Sequence, residues 1–509
     1  MPRKKAKAAA EQQPATNNGR QSVDTVVKNI CDIMRRGNMA GAMQYVPELS
    51  WLLFLRILDD NEMSEQARKE AVDKSFSPSL THPYRWRDWA AKDSDYRQEL
   101  AESEGNALLD FVNNKLLPHL KSFADKQNAS EKQQVIAQIV RSVEKTHFDN
   151  QRDMLEVLDR IDALRQSQMN NTHFFTLSQV YENLLLKMGE KNNDGGQFFT
   201  PREVVRAMVQ VIDPQVGDTV YDPCCGTGGF LAQSFEYMKK AGGDSGKNLT
   251  KLRNNTFYGR EKEKIAYPIA LANLVLHGID YPQIWHGNTL SRTPTSAALF
   301  PHEEKFYDVI LSNPPFGGKE AKSAKTRYNY PTSSTQTLFM QDMIAALKGG
   351  GRCGVVMDEG FMFQTNQDAI VRTKRRLLEK CDLYCVVSLP GGVFSQAGAG
   401  VKTNLLFFTK GKPTEKIWYY DLSDVKVTKR QPLTLHHFKE FFELLPNRAD
   451  SANSWTITAD DIVKNNYDLK AKNPNKKTET DTRTPPELMA VIKEKTAQIT
   501  AALDQLTKE

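Results

Sequence analysis

The residues with the clearest chemistry are Asn313, Pro314, Pro315 and Phe316, which follow the apolar run from Tyr307 to Ser312. Such a run reads as a buried strand, and the loop at a strand's carboxyl end is where open α/β sheets hold their ligands. Consecutive prolines fix φ and remove backbone donors, so the carbonyls of this loop stay available to accept hydrogen bonds. The Asn313 side-chain oxygen and the Pro314 carbonyl can each accept one hydrogen of an amino group conjugated to an aromatic ring. Holding both hydrogens localises the nitrogen lone pair, and Phe316 can then stack on the ring. The competing reading is a proline-capped strand end followed by a core phenylalanine.

A second group lies upstream. Thr219 to Asp222 reads as the first strand of a parallel sheet, and Pro223, Cys224, Cys225, Gly226, Thr227, Gly228, Gly229 and Phe230 as a glycine-rich turn into a helix from Leu231. Glycines let the backbone approach a ligand, and a helix N-terminus offers free N–H groups to a carboxylate. Such a turn binds either a dinucleotide or S-adenosylmethionine. Asp222 precedes the glycines and the dinucleotide pattern G-x-G-x-x-G is not matched, which tilts the choice toward S-adenosylmethionine. A strand from Thr256 to Arg260 ends at Glu261, where an acid can accept from both ribose hydroxyls. The long spacing between Asp222 and Glu261 is explained by a surface insertion over residues 241–255. Ile284 to Gly287 gives a third strand, closing on Asn288. Before all of these, Gln197, Phe198, Phe199, Thr200, Pro201 and Arg202 lead into a helix with Thr200 as N-cap and Pro201 at its first position.

Cofactor turn, ribose acid and catalytic loop thus follow successive strands. The loop from Asn313 to Phe316 resembles the catalytic loop of DNA adenine-N6 methyltransferases, which take their base out of the helix to reach it. With Gln197 to Arg202, Asp222 to Phe230 and Glu261, the chain resembles the methylation (M) subunit of type I restriction-modification systems. That resemblance implies an α/β fold: an N-terminal helical domain, a Rossmann-like S-adenosylmethionine-dependent methyltransferase domain and a C-terminal helical tail. It implies cofactor contacts from Gln197, Phe198, Phe199, Thr200, Pro201, Arg202, Thr227, Gly228, Gly229 and Glu261, beside Asp222 and Gly226 in the same turn. Asn288 stands where the wider class often has Asp; its amide oxygen can still accept from the cofactor's adenine amino group. The implied partners are double-stranded DNA, a specificity subunit bound by two methylation subunits, and a restriction subunit in the full complex. Methylation of RNA or of a glutamine remains an alternative, as does a binding module that keeps the cofactor site as a scaffold.

The elements that position these residues are legible in outline. The chain has 509 residues, 39% hydrophobic and 26% charged, with net charge +6, so nucleic-acid contact must come from local basic patches or a partner. No stretch approaches the roughly 20 apolar residues of a membrane span, and the six cysteines form no paired framework, which points to the cytoplasm. The nine histidines are scattered, and no metal is expected. Residues 1–20 read as a disordered basic tail and 21–170 as a helical domain, with apolar residues recurring at helical spacing. Arg85, Trp86, Arg87 and Trp89 interleave aromatic and basic residues; packing of the tryptophans under a loop is favoured over nucleotide stacking. Residues 171–425 form the methyltransferase domain, read as an ordinary doubly wound sheet. Lys319, Lys322, Lys325 and Arg327 form either a phosphate grip or a solvated loop. After the sheet, Glu415 to Leu422 and the region to Asn473 read as irregular and Pro474 to Thr484 as a linker, so that 426–484 form an irregular region and linker, and 485–509 a helix with one apolar stripe, for subunit contact or for the chain's own core. No G-x-x-x-x-G-K-[ST] sequence is present, so a helicase or ATPase motif is lacking.

Overall fold

The computed structural model describes residues 17–39, 41–163, 200–243, 246–294, 303–394, 402–428, 431–475 and 484–506. Gln197, Phe198 and Phe199, the basic cluster Arg3, Lys4, Lys5 and Lys7, and most of the expected linker lie outside them.

The amino-terminal part is helical, with α1 (Asn17–Arg36), α2 (Ala42–Glu70), α3 (Glu131–Val140) and α4 (Gln151–Ala163) as its longer elements. The apolar residues that recur along α2 are buried: Trp51, Leu52, Leu55 and Leu58. Trp51 stacks on Trp89 at 6.4 Å, and Trp86 and Trp89 are buried. The neighbouring Arg85 and Arg87 pair with Asp88 and Asp59. The aromatic and basic interleaving is therefore core packing with paired charges rather than a nucleotide platform.

Next come α5 (Arg202–Ile212), β1 (Val220–Asp222), α6 (Gly229–Met238), β2 (Phe257–Glu261) and α7 (Ala266–Leu276). They are followed by β3 (Gln283–Asn288), β4 (Thr293–Pro294), β5 (Tyr307–Ser312), α8 (Thr335–Ala346), β6 (Leu347–Asp358) and α9 (Asp368–Lys380). The last strands are β7 (Cys381–Ser388), β8 (Thr403–Lys410), β9 (Lys416–Asp421) and β10 (Ser454–Thr458). Among the described residues these ten strands make one sheet in the order β10-β9-β7-β8-β6-β5-β1-β2-β3-β4. From β3 through β2, β1 and β5 to β6 all neighbours are parallel. Their near-continuous burial is what a sheet covered on both faces requires.

α7 explains how the helical part is attached. All its residues are buried, because it packs against the sheet side on β3 and α6 and against α2 and α3 on the other; a helix apolar all round has to be enclosed. Tyr281, beyond its end, donates to Gln134 of α3 at 3.4 Å.

Two expectations need correcting. The sheet is not an ordinary doubly wound one: β8 is inserted antiparallel between β6 and β7. The segment after it is not irregular, since β9 pairs parallel with β7 and β10 pairs antiparallel with β9. The run Ile417, Trp418, Tyr419 and Tyr420 is buried throughout, so it lacks the alternation by which a half-exposed strand is recognised. The last helix, α10 (Pro485–Leu506), leaves Met489, Ile492 and Ile499 more than half exposed.

Candidate functional site

The chain continues from β1 to β2 and β3 on one side, then crosses back to β5 on the other side of β1. The crevice at that switch point, outside the carboxyl ends of the strands, is where this sheet type can take a ligand. An open cleft lies there. It is lined from β1 by Asp222 and the glycine-rich turn, from β2 by Glu261, from β3 by Asn288 and from β5 by Asn313 and Pro315.

Side chains tie these ends together. Ser312 donates to Asp222 at 2.7 Å, and Thr289 to the Pro223 carbonyl at 2.6 Å. Asn273 of α7, fully buried, donates to the Thr227 carbonyl at 2.8 Å. The Gly226 N–H donates to Glu261 at 2.8 Å. The turn is thus held on both sides, its form made possible by glycine: Gly226 and Gly228 have φ of 53° and 78°, a region other residues enter at a cost. At Gly229 the reason is space, because a Cβ would stand 2.6 Å from Arg202 Nη1. The missing side chain lets that guanidinium reach the start of α6 beside the cleft. Cation, helix N-terminus and glycine backbone together make a seat for a carboxylate.

Asp222 and Glu261 are 1% and 6% exposed. Burial pushes each carboxyl up to about 7, opposed at Asp222 by the Ser312 hydroxyl and at Glu261 by the N–H groups of Glu263 and Gly226. Such groups favour ligands that bring hydrogen-bond donors.

In the catalytic loop Asn313 donates from Nδ2 to the Thr200 hydroxyl at 3.1 Å. Its Oδ1 is buried with no hydrogen-bond partner among the described residues. Thr200 is not the expected helix cap: α5 starts one residue later, with Pro201 before it and no side-chain cap, which leaves the threonine hydroxyl for Asn313. The Pro314 carbonyl already accepts from Gln336 Nε2 at 3.3 Å, while Gln336 Oε1 accepts from the Asp358 N–H at 3.0 Å. A carbonyl has two lone pairs, so Pro314 keeps one for a ligand. Phe316 is half-buried, its ring meeting Phe394 at 82° with centroids 5.4 Å apart.

Asn288 departs from expectation. Its Oδ1 accepts from the Leu290 and Ser291 N–H groups at 2.9 and 3.3 Å, and its Nδ2 donates to Glu320 at 3.1 Å. The oxygen is spent on closing its own turn. In the basic segment, Lys319 and Lys322 are exposed, but Arg327 donates to the Leu290 carbonyl at 2.7 Å and so braces the loop after β3. Sequence reasoning missed Asn273, Glu320 and Gln336. Asn273 had a signal, a polar residue inside a wholly apolar helix; the other two act only through tertiary contacts.

The donor and acceptor set fits S-adenosylmethionine. Glu261 can take ribose hydroxyls, the glycine turn with Arg202 can take an amino-acid carboxylate, and the orphaned Asn313 oxygen lies at the opposite wall where a substrate amine can enter.

Residues 173–483 match the family model N-6 DNA Methylase, and residues 23–166 the model HsdM N-terminal domain. The chain is 34% identical over 505 residues to the type I restriction enzyme EcoEI methylase subunit of Escherichia coli, covering 95% of this chain and 97% of that one. It is 30% identical to the EcoKI methylase subunit of Escherichia coli strain K12, covering 82% and 75%. A chain of a solved type I restriction-modification system, studied for complex assembly and conformational transition, superposes with a TM-score of 0.75 at 33% identity, covering 96% and 98%.

Proposed function

We propose a residue-level account from the premise that the chain belongs to the family of type I restriction-modification methylase subunits. It is an adenine-specific DNA methyltransferase that uses S-adenosylmethionine.

The cofactor supplies an electrophilic methyl group carried on a sulfonium sulfur. Glu261 accepts from the ribose hydroxyls, and Arg202 with the N–H groups around Thr227 and Gly229 receives the amino-acid carboxylate. Asp222, locked by Ser312 and the Cys224 N–H, fixes the turn. The target adenine leaves the duplex, its ring stacks on Phe316, and its amino hydrogens are accepted by Asn313 Oδ1 and the Pro314 carbonyl. With both hydrogens held by Asn313 Oδ1 and the Pro314 carbonyl, the nitrogen lone pair would be localised and directed toward the side of the cleft where the cofactor would supply its methyl group. Catalysis is chiefly positioning and electrostatic stabilisation, with no covalent enzyme intermediate.

The observation that carries this account is the buried, unpartnered Asn313 Oδ1. A buried acceptor without a donor costs about 1–3 kcal/mol, which substrate binding repays. Asn313→Ala should lower the methyl-transfer rate by about two to three orders of magnitude, the scale for losing one preorganised transition-state hydrogen bond. Cofactor affinity, measured by calorimetry, should stay near the wild-type value. Transfer at a near wild-type rate would refute the account.

The chain works with other subunits of a type I system and with DNA. The finer arrangement proposed here is two of these chains on one specificity subunit, with a restriction subunit adding cleavage. α10 is the surface for the specificity subunit, an assignment supported by its exposed Met489, Ile492 and Ile499.

A further inference from the structure

The turned oxygen of Asn288 leaves the adenine end of the cofactor without its expected acceptor. Glu261 ends β2 opposite His286 of β3, the next strand outward, and Asn288 ends β3 two residues further on. A nucleoside whose ribose sits at Glu261 therefore lays its base along the end of β3. An exocyclic amino group there needs an acceptor. Asn288 cannot provide one: its oxygen holds the Leu290 and Ser291 N–H groups, and its nitrogen is a donor only.

The acceptor within reach is Glu320, which lines the same cleft and whose Oε2 accepts from Asn288 Nδ2. A carboxylate has about four acceptor positions, and Asn288 fills one of them. Oε1 has no hydrogen-bond partner among the described residues. The backbone is fixed as well: the Glu320 N–H donates to the Ser333 carbonyl at 3.3 Å, and Lys319 bridges Ser334. We propose that Glu320 accepts from the adenine amino group of the cofactor, with Asn288 as the positioning residue that orients it. This rests on the cofactor placement given above.

The test is equilibrium binding, with no transfer involved. The full chain and its variants are titrated by calorimetry with S-adenosylhomocysteine and with its analogue carrying hydrogen in place of the 6-amino group. Wild type should favour the amino compound by on the order of tenfold, the low end for a hydrogen bond to a charged group. Glu320→Ala should lose that preference by weakening the amino compound alone, and Glu320→Gln, which keeps an acceptor oxygen, should retain part of it. An undiminished preference in Glu320→Ala overturns the proposal. Glu261→Ala serves as the reference and should weaken both compounds equally. If it weakens neither, the placement of the ribose is wrong and the proposal falls with it; if it weakens both while Glu320→Ala keeps the preference, only Glu320 is misassigned.

Discussion

Because burial holds Asp222 and Glu261 up at about 7, two pH effects of opposite sign meet at one site. Without ligand, both acids keep protons in the folded chain that the unfolded chain has already shed above its ordinary carboxylate range near 4. Their contribution to stability is therefore greatest at the acidic end of that window and declines as pH rises through about 7, where the folded chain's two carboxyls are about half ionised. Cofactor binding runs the other way, since ribose hydroxyls donate best to an ionised Glu261. The cofactor's dissociation constant should fall as pH rises through about 7 and level off above it. Glu261→Gln should bind more weakly at high pH and lose most of the slope. Thermal-shift titrations with S-adenosylhomocysteine from acidic to mildly alkaline pH would check this, and a flat wild-type profile would exclude Glu261 from the ribose contact. Asp222, Glu261 and Asn313 were legible in the sequence because a strand's end fixes where its next side chain goes. The turned Asn288 oxygen was not, because the N–H groups that capture it belong to a turn whose closure no residue type announces.

At the scale of elements, the catalytic loop is held from behind by α8. Gln336 spans the Pro314 carbonyl and the Asp358 N–H, linking the loop after β5 to the end of β6. In the proposed mechanism its amide sets the direction of the carbonyl that would receive the substrate amine, which makes it a positioning residue. Gln336→Ala should lower kcat by roughly ten- to a hundredfold, the penalty for small misplacements of reacting groups. The KM for cofactor should hardly move, because Gln336's hydrogen bonds go to the Pro314 carbonyl and the Asp358 N–H and not to Glu261 or the glycine turn. Steady-state kinetics separates the two, and a raised cofactor KM with unchanged kcat would contradict this role. The parallel strands β1, β2, β3 and β5 were readable because apolar runs alternate with helical segments and polar residues close each run. The reversal of β8 was not readable, since an apolar strand looks the same in either direction and only its partners, β6 and β7, decide it. β9 escaped for a related reason: with both faces covered, Ile417 to Tyr420 carries no alternation to distinguish it from other buried chain.

For the whole molecule, the outstanding feature is a helix left almost wholly exposed among the described residues. α10 has 22 residues, about 33 Å of helix, and its side chains from Pro485 to Thr500 are exposed apart from partial cover of Leu488 and Val491. The sequence left open whether its apolar stripe faced the chain's own core; among the described residues Ile492 and Ile499 of that stripe are 58% and 61% exposed, as is the neighbouring Met489 at 56%. Helices without tertiary packing are marginal in water, so the stripe calls for cover from another chain. Removing residues 485–509 should therefore leave the isolated chain's melting temperature and its affinity for S-adenosylhomocysteine unchanged, since neither the core nor the cleft uses them. Co-purification with the specificity subunit should be lost or strongly weakened, and with it methylation of the target sequence. Replacing Met489, Ile492 and Ile499 together by Gln separates the apolar face from the mere presence of a helix, and should weaken association while the protein stays folded. If the truncated chain still assembles with the specificity subunit as tightly as the full one, the contact lies elsewhere and α10 must meet a different partner.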